Sequence, residues 1–418
     1  FTSAYIFYIN YFFLMIKSQS TWPHYSEDEV EVVSKILRSG KVNYWTGEEC
    51  RLFEKEFSKF CNSKYSVAVS NGTVALDLAL LSLGVGSGDE VIVTSRTFIA
   101  SASSIVNVGA KPIFCDVDLN NGNISIDNIK KLFSTKTKAI ICVHLGGFPC
   151  DMEPIMNFAV SKKIFVIEDC SQAHGASYKG IPVGSVGNIS TWSFCQDKII
   201  STAGEGGMVT TNDHSLWKFV WSFKDHGKDY DAVYFKKHQN HYKWLHESIG
   251  TNWRMTEIQA AVGRIQLGKI ADWQKIRQHN SEVILKTCSQ FPHAIRISTI
   301  NNHFKHAWYK CNVFVRPDGL KKNWSRDRII DEINNLGGEC FVGPCPEVYL
   351  EKAFSNFWPL KRLKNAKQLG ETSLVFLVHP TLTSSEIKAT CNIIKNVIDY
   401  NSKKKVRWFL CDLVLFKI

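Results

Sequence analysis

Residues 164–175 read IFVIEDCSQAHG, a short apolar run that ends on two carboxylates and passes into a polar turn. An apolar run of this length bounded by charge fits a strand buried on both faces, the usual condition of a parallel sheet. Ligands of such sheets gather beyond the carboxyl ends of the strands. Glu168, Asp169 and the residues after them therefore stand where chemistry is expected. An aspartate that only caps the next turn reads the same at this point.

Working outward, similar apolar segments recur at 66–69, 90–94, 112–116, 139–144, 189–194 and 207–211. Helical segments at 74–83, 100–108, 126–133 and 152–161 lie between most of them. This alternation predicts an α/β fold, a mostly parallel central sheet with helices on both faces. Two amphipathic helices precede it. One opens at Ser26 with capping-box spacing to Glu29 and stops at Gly40; the other covers about Glu48 to Phe60. Beyond Gly268 the pattern loosens into a helix over Ala271–Cys288, mixed segments at Trp308–Val315 and Gly338–Phe341, and a last helix near Ser385–Val397. That part predicts a smaller α+β C-terminal domain. The expected division is a large domain over 15–267 and a small one over 268–402.

The two ends differ from the middle. Residues 1–14 carry seven aromatics and no charge, and are read as a non-native or disordered extension, with a weak membrane anchor as the rival. The run is short of the roughly 20 residues a spanning helix needs, and it lacks the basic start of a signal peptide. Residues 403–418 form a basic and apolar tail of net charge +4. The whole 418-residue chain carries +11, so about +7 belongs to the middle. Apolar content of 44% with 26 Gly and 11 Pro excludes disordered and collagen-like classes. Thirteen scattered cysteines without a CxxC pair fit reduced thiols in a cytosolic protein.

Three constellations carry candidate chemistry. Ser70-Asn71-Gly72-Thr73 lies between a strand and a helix, where amides and the positive end of the helix dipole can hold a phosphate; a plain N-cap looks alike. Asp169 follows the strand of the opening motif. Lys198 lies just beyond the strand ending at 194, beside the glycine-rich turn Gly204-Glu205-Gly206-Gly207. A lysine in such a place can be desolvated into a neutral amine and form a Schiff base. Alone, it reads as a solvated surface residue. Together, a phosphate cradle, an acid able to keep a pyridine nitrogen protonated and a strand-end lysine are what pyridoxal 5'-phosphate requires.

The sequence resembles the DegT/StrS sugar aminotransferases, within the fold-type I pyridoxal-phosphate enzymes. The likeness runs from about Ser26 to Val397. It is carried by SNGTVAL (70–76), TFIASASSI (97–105), VHLGGFPCDM (143–152), EDCSQAHGA (168–176), SFCQDKIISTAGEGGM (193–208) and GTNWRMTEIQAAVGRIQL (250–267). The resemblance implies that Lys198 is the Schiff-base lysine and the acid/base, and that Asp169 pairs with the pyridine nitrogen. It also implies that Gln172 contacts the ring hydroxyl and Phe98 stacks on the ring, while Gly72, Thr73 and Ser193 hold the phosphate. Asn252, with Arg254, would reach the partner's phosphate across a homodimer with shared active sites. One departure stands out. Many relatives carry a histidine-containing loop where this chain has Cys340–Tyr349, a segment expected to line the sugar pocket. Some relatives replace the lysine by histidine and act as dehydratases; this chain keeps Lys198.

Other readings are weaker. Gly84-Val85-Gly86-Ser87-Gly88 follows a helix and precedes a strand, the reverse of a dinucleotide loop. His238, His241 and His246 lack an accompanying acid or thiol at ligand spacing, and Asp116 and Asp118 suit turn capping better than magnesium. Lys236-Lys237 and Lys403–Lys405 lack the aromatic interleaving of a nucleic-acid face. The expected function is a cytoplasmic aminotransferase that converts a nucleotide-diphosphate keto sugar to an amino sugar. Glutamate is the expected donor and surface polysaccharide the expected setting; neither nucleic acid, membrane nor metal is called for. A dehydratase on the same scaffold and a non-catalytic relative are the alternatives.

Overall fold

The computed structural model describes residues 20–238, 242–343 and 346–403. Seven strands make the central sheet: β1 (Tyr65–Val69), β2 (Glu90–Thr94), β3 (Lys111–Cys115), β4 (Thr137–Val143), β5 (Phe165–Asp169), β6 (Ile189–Ser193) and β7 (Gly207–Thr211). Their spatial order is β1-β7-β6-β5-β4-β2-β3. Pairing is parallel from β6 to β3, while β7 runs antiparallel to both β6 and β1. All strands but β7 therefore point the same way, and one edge of the sheet collects six carboxyl ends. The expected mostly parallel sheet is present, its strands within two residues of the predicted spans.

Burial explains why these runs were visible. Val91, Ile92 and Val93 of β2, and Ala139, Ile140 and Ile141 of β4, are each fully buried, with helices covering both faces. Each of these Val and Ile side chains contributes about 1.5–3 kcal/mol relative to leaving it in water. The Gly84–Gly88 turn links helix to strand as expected, with positive φ at Gly84 and Gly88.

Helix α1 (Glu27–Ser39) starts in a Ser26/Glu29 capping box and ends at Gly40 in the left-handed conformation. Helix α2 (Glu49–Phe60) buries Phe53 and Phe57 against Trp192 and Phe194 of the sheet side. Where the sequence suggested a helix beginning at Ala271, one helix runs without interruption from Glu257 to Cys288, 32 residues. Its start is a Thr256/Gln259 capping box. Gly268, where the sequence pattern divides, lies inside it; at Gly263 a Cβ would lie 2.7 Å from Phe53 Cζ, so that glycine lets the helix close on α2. Arg264 fixes the same contact, with NH1 2.6 Å from Glu49 and NH2 2.7 Å from Glu56. The expected boundary at 267/268 falls inside this helix.

The C-terminal part is a four-stranded antiparallel sheet of Ile295–Arg296, Cys311–Val315, Ser373–Phe376 and Cys340–Phe341, in that order. Helices Arg326–Asn335 and Ser384–Asn401 and the end of the long helix close over Val313, Leu374, Phe376 and Ile394. The eleven cysteines among the described residues are all free thiols. Among the described residues no helix is long and apolar enough to cross a membrane. Residues 1–14 and, apart from Lys403, the tail lie outside the described residues.

Candidate active site

The strand ends build the site. Gly207, at the start of antiparallel β7, is in register with both Val69 and Ser193, so three segments meet at one point of the sheet edge. Their approach is close. A Cβ on Gly207 would lie 2.3 Å from the Asn71 carbonyl oxygen, and one on Gly72 would lie 2.6 Å from Ser193 Cβ. Helix α3 (Gly72–Ser82) begins here, with the Asn71 side chain accepting from the Val74 amide at 3.0 Å. Gly72, Thr73 and Ser193 thus form a cradle beneath a helix N-terminus, the arrangement that suits a phosphate.

Asp169 ends β5 and is buried. Its Oδ2 accepts from Ser101 Oγ at 2.7 Å and its Oδ1 from the Ser171 amide at 3.1 Å. Gln172 lies close by; its Oε1 accepts from the Gly146 amide at 2.7 Å, which leaves its NH2 as a donor. Gly146 adopts φ 65° in the turn after β4, a conformation that favours glycine.

Lys198 occupies the loop between β6 and β7. That loop is closed by Phe194 N donating to the Gly206 carbonyl at 2.8 Å and Thr202 N to the Phe194 carbonyl at 3.1 Å. Lys198 Nζ is 3.1 Å from Asp197 Oδ1, and the Tyr309 hydroxyl donates to Asp197 Oδ2. Burial works against the Asp197 charge, but the Lys198 ammonium and the Tyr309 hydroxyl hold its carboxyl below the usual range. Burial, with Asp197 beside it, raises the Tyr309 phenol well above its ordinary value, so it stays a donor. From the N-terminal segment, Trp22 Nε1 donates to the Lys198 carbonyl at 2.8 Å, fixing the backbone that carries the lysine.

Lys198, Gln172 and Phe98 line a cavity of about 280 Å³, closed from the C-terminal part by Tyr309, Lys310, Asn312 and Phe341. Phe98 is 63% exposed, an apolar ring on the open side. Asn252 is exposed on the surface. Arg254 is drawn away from the cavity: its guanidinium pairs with the buried Asp225, and its backbone bridges Val69. Within the loop expected to line the sugar pocket, Phe341 and Gly343 border the cavity. Glu347 instead pairs with Arg362 and bonds to Tyr349, so the second half of that loop packs away from it. Pro344 and Cys345 lie outside the described residues.

The remaining candidates are structural. Asp116 accepts from the Asn365 and Ala366 amides at 3.0 and 2.8 Å, and Asp118 from those of Asn120 and Asn121. His238 bonds to the Ala232 carbonyl, and His241 lies outside the described residues. His144, Glu168 and Cys170 come together in the interior. There Nδ1 of His144 accepts from the Cys150 amide at 2.9 Å and Nε2 meets Glu168 at 3.1 Å. Glu168 also receives the Gly184, Val186 and Gly187 amides. Burial opposes its ionisation, yet these bonds, His144 first, hold the carboxyl below its ordinary value. His144 and Glu168 clamp the end of β5 through these bonds, and burial holds the Cys170 thiol well above its ordinary pKa. His174, whose pKa burial pulls down to about 3, packs as a neutral ring on Trp192 and Phe194.

Residues 23–395 match the model of the DegT/DnrJ/EryC1/StrS aminotransferase family. The chain belongs to this family. It is 40% identical to the GDP-perosamine synthase of Escherichia coli O157:H7 over 89% of this chain and 96% of that one. It is 31% identical to the dTDP-3-amino-3,6-dideoxy-alpha-D-galactopyranose transaminase of Aneurinibacillus thermoaerophilus, over 87% and 93%. The crystal structure of the aminotransferase from Psychrobacter cryohalolentis superposes with a TM-score of 0.90 at 56% identity, covering 90% of this chain and 98% of that one. The fold is that of the fold-type I pyridoxal-phosphate aminotransferases, and the chain is an aminotransferase of that class. The family's cofactor fits the residues present. Gly72 meets Ser193 so closely at a helix start that a Cβ would clash, Asp169 is a buried acceptor, and Lys198 borders a cavity that Gln172 and Phe98 also line.

Proposed function

We propose that the enzyme is a cytoplasmic transaminase that converts a nucleotide-diphosphate keto sugar to an amino sugar, with glutamate as donor and surface-polysaccharide assembly as its setting. The observation that carries this reading is the placing of Lys198 on the cavity wall, its Nζ oriented by Asp197 and its backbone by Trp22. Pyridoxal phosphate, when bound, supplies an electron sink for charge developing at the substrate carbon. Asp169 keeps a proton at the ring nitrogen, and Ser101 and Ser171 keep Asp169 an ordered acceptor. With the cofactor bound, Gly72, Thr73 and Ser193 would hold the phosphate, Gln172 would donate to the ring hydroxyl, and Phe98 would cover the ring face. Lys198 takes the proton from one carbon and delivers it to the next, a transfer for which a positioned amine is suited.

The purified protein should be yellow, and glutamate should bleach it. A panel of 3-keto and 4-keto nucleotide sugars should then restore the colour with release of an amino sugar. A deoxygenated product without amino transfer would make the enzyme a dehydratase. Protein that stays colourless with added cofactor would end both enzymatic readings.

The same reading includes a homodimer with shared sites. The stretch before Asn252 leaves Phe235, Trp244 and Ile249 exposed at 74%, 82% and 89%, an apolar surface that suits a partner. Lys198→Ala and Asn252→Ala subunits, each impaired alone, should complement when co-expressed. Random pairing under two-fold symmetry makes half of the dimers mixed with one intact site each, so about a quarter of wild-type activity returns. No recovery would place Asn252 in its own subunit's site.

A further inference from the structure

Lys310 directly precedes the strand Cys311–Val315 and lines the catalytic cavity beside Tyr309 and Asn312. Its Nζ lies 4.9 Å from the centroid of the Tyr309 ring, and Lys198 Nζ lies 5.3 Å from the same centroid, so one ring carries both amines. The acid nearest to them is already engaged: Asp197 meets Lys198 through one oxygen and Tyr309 through the other. Among the described residues no hydrogen bond or ion pair engages Lys310 Nζ. A half-buried ammonium with no hydrogen-bonded or ion-paired acid is costly, and a ligand anion lowers that cost. Asn312 adds a carboxamide on the same wall, packed so closely on Gly146 that a Cβ there would lie 2.6 Å from Asn312 Nδ2.

We propose that Lys310 and Asn312 form a subsite for a carboxylate of the acidic amino donor; this rests on the transaminase reading above. The geometry favours the donor over the sugar nucleotide. The donor must present its reacting carbon to Lys198, and a small amino diacid bears a carboxylate within a few bonds of that carbon. The charges of a nucleotide sugar are on its diphosphate, separated from the keto carbon by the sugar ring.

Glutarate, a dicarboxylate without an amino group, isolates this subsite from the chemistry. In calorimetry on the cofactor-loaded enzyme, glutarate should bind in competition with glutamate. Lys310→Met should weaken glutarate, and raise the glutamate concentration that half-bleaches the protein, by roughly tenfold or more, the size of a lost charge-assisted hydrogen bond. Lys310→Arg should stay within about threefold of wild type, since it keeps the charge. Nucleotide-sugar binding should not change in either variant.

A pH series adds a second readout. Burial lowers the Lys310 pKa to about 8; Arg277 and Lys198 push the same way, while Asp197 and Glu339 oppose them. The amine is charged below that value, so glutarate affinity should fall as pH rises through about 8 in wild type and not in Lys310→Met. Unchanged glutarate binding in Lys310→Met, or a loss confined to the nucleotide sugar, would overturn the assignment. A colourless wild-type protein would instead remove the transaminase reading, and glutarate affinity would still decide whether Lys310 holds a carboxylate.

Discussion

Replacing Lys198 by alanine abolishes transamination. On the proposed roles the substitution removes both the amine that would link to the cofactor and the group that would move the proton, so kcat should fall by at least roughly a thousandfold. The fold should survive. Lys198 lies in a loop, its carbonyl still accepts from Trp22 and its amide still donates to Cys195. Two measurements separate these effects. Borohydride treatment followed by mass spectrometry should find a reduced cofactor adduct on Lys198 in wild type and none in Lys198→Ala. The melting temperature should stay near that of wild type. An adduct that persists in the variant would reject the lysine assignment outright.

The second large effect is expected at Asp169. Asp169→Asn keeps an oxygen to accept from Ser101 but removes the charge that, on the proposed role, would hold a proton on the ring nitrogen. Breaking a buried charge pair costs about 3–5 kcal/mol, which corresponds to roughly 10² to a few times 10³ in rate. The glutamate bleaching rate, followed at saturating donor, is the direct readout. Asp169→Glu should do little better, because a longer side chain cannot keep both the Ser101 and Ser171 bonds in this buried position. A loss below tenfold in Asp169→Asn would mean that the ring nitrogen needs no acid here.

The central sheet was legible because parallel strands covered on both faces appear as unbroken apolar runs, and β2 and β7 match their predicted bounds. Strand order was not legible, since adjacency of β1 to β7 is decided by packing across more than a hundred residues. The long helix was misjudged at its start because the pattern divides at Gly268, which lies inside the helix, while Gly263 before it makes a close contact with Phe53. In the site, Asp169 and Lys198 stood out through strand ends and family motifs. Tyr309, Lys310 and Trp22 did not. A single lysine before an apolar strand, or one tryptophan ahead of the first helix, carries no local signal. Their roles arise only when segments far apart in the chain meet around Asp197 and the Lys198 carbonyl.

The uninterrupted helix Glu257–Cys288 has a consequence for how substrate enters. At 1.5 Å per residue it is a rod of about 48 Å. Its first half is bolted to α2 through Arg264, and Arg277 further along donates to the Tyr309 carbonyl at 3.2 Å. Between these two fixings the helix runs without a break. Two exposed rings of the pocket wall, Phe98 and Phe341, stand off this rod, and a turn of either ring would widen the mouth without moving the helix.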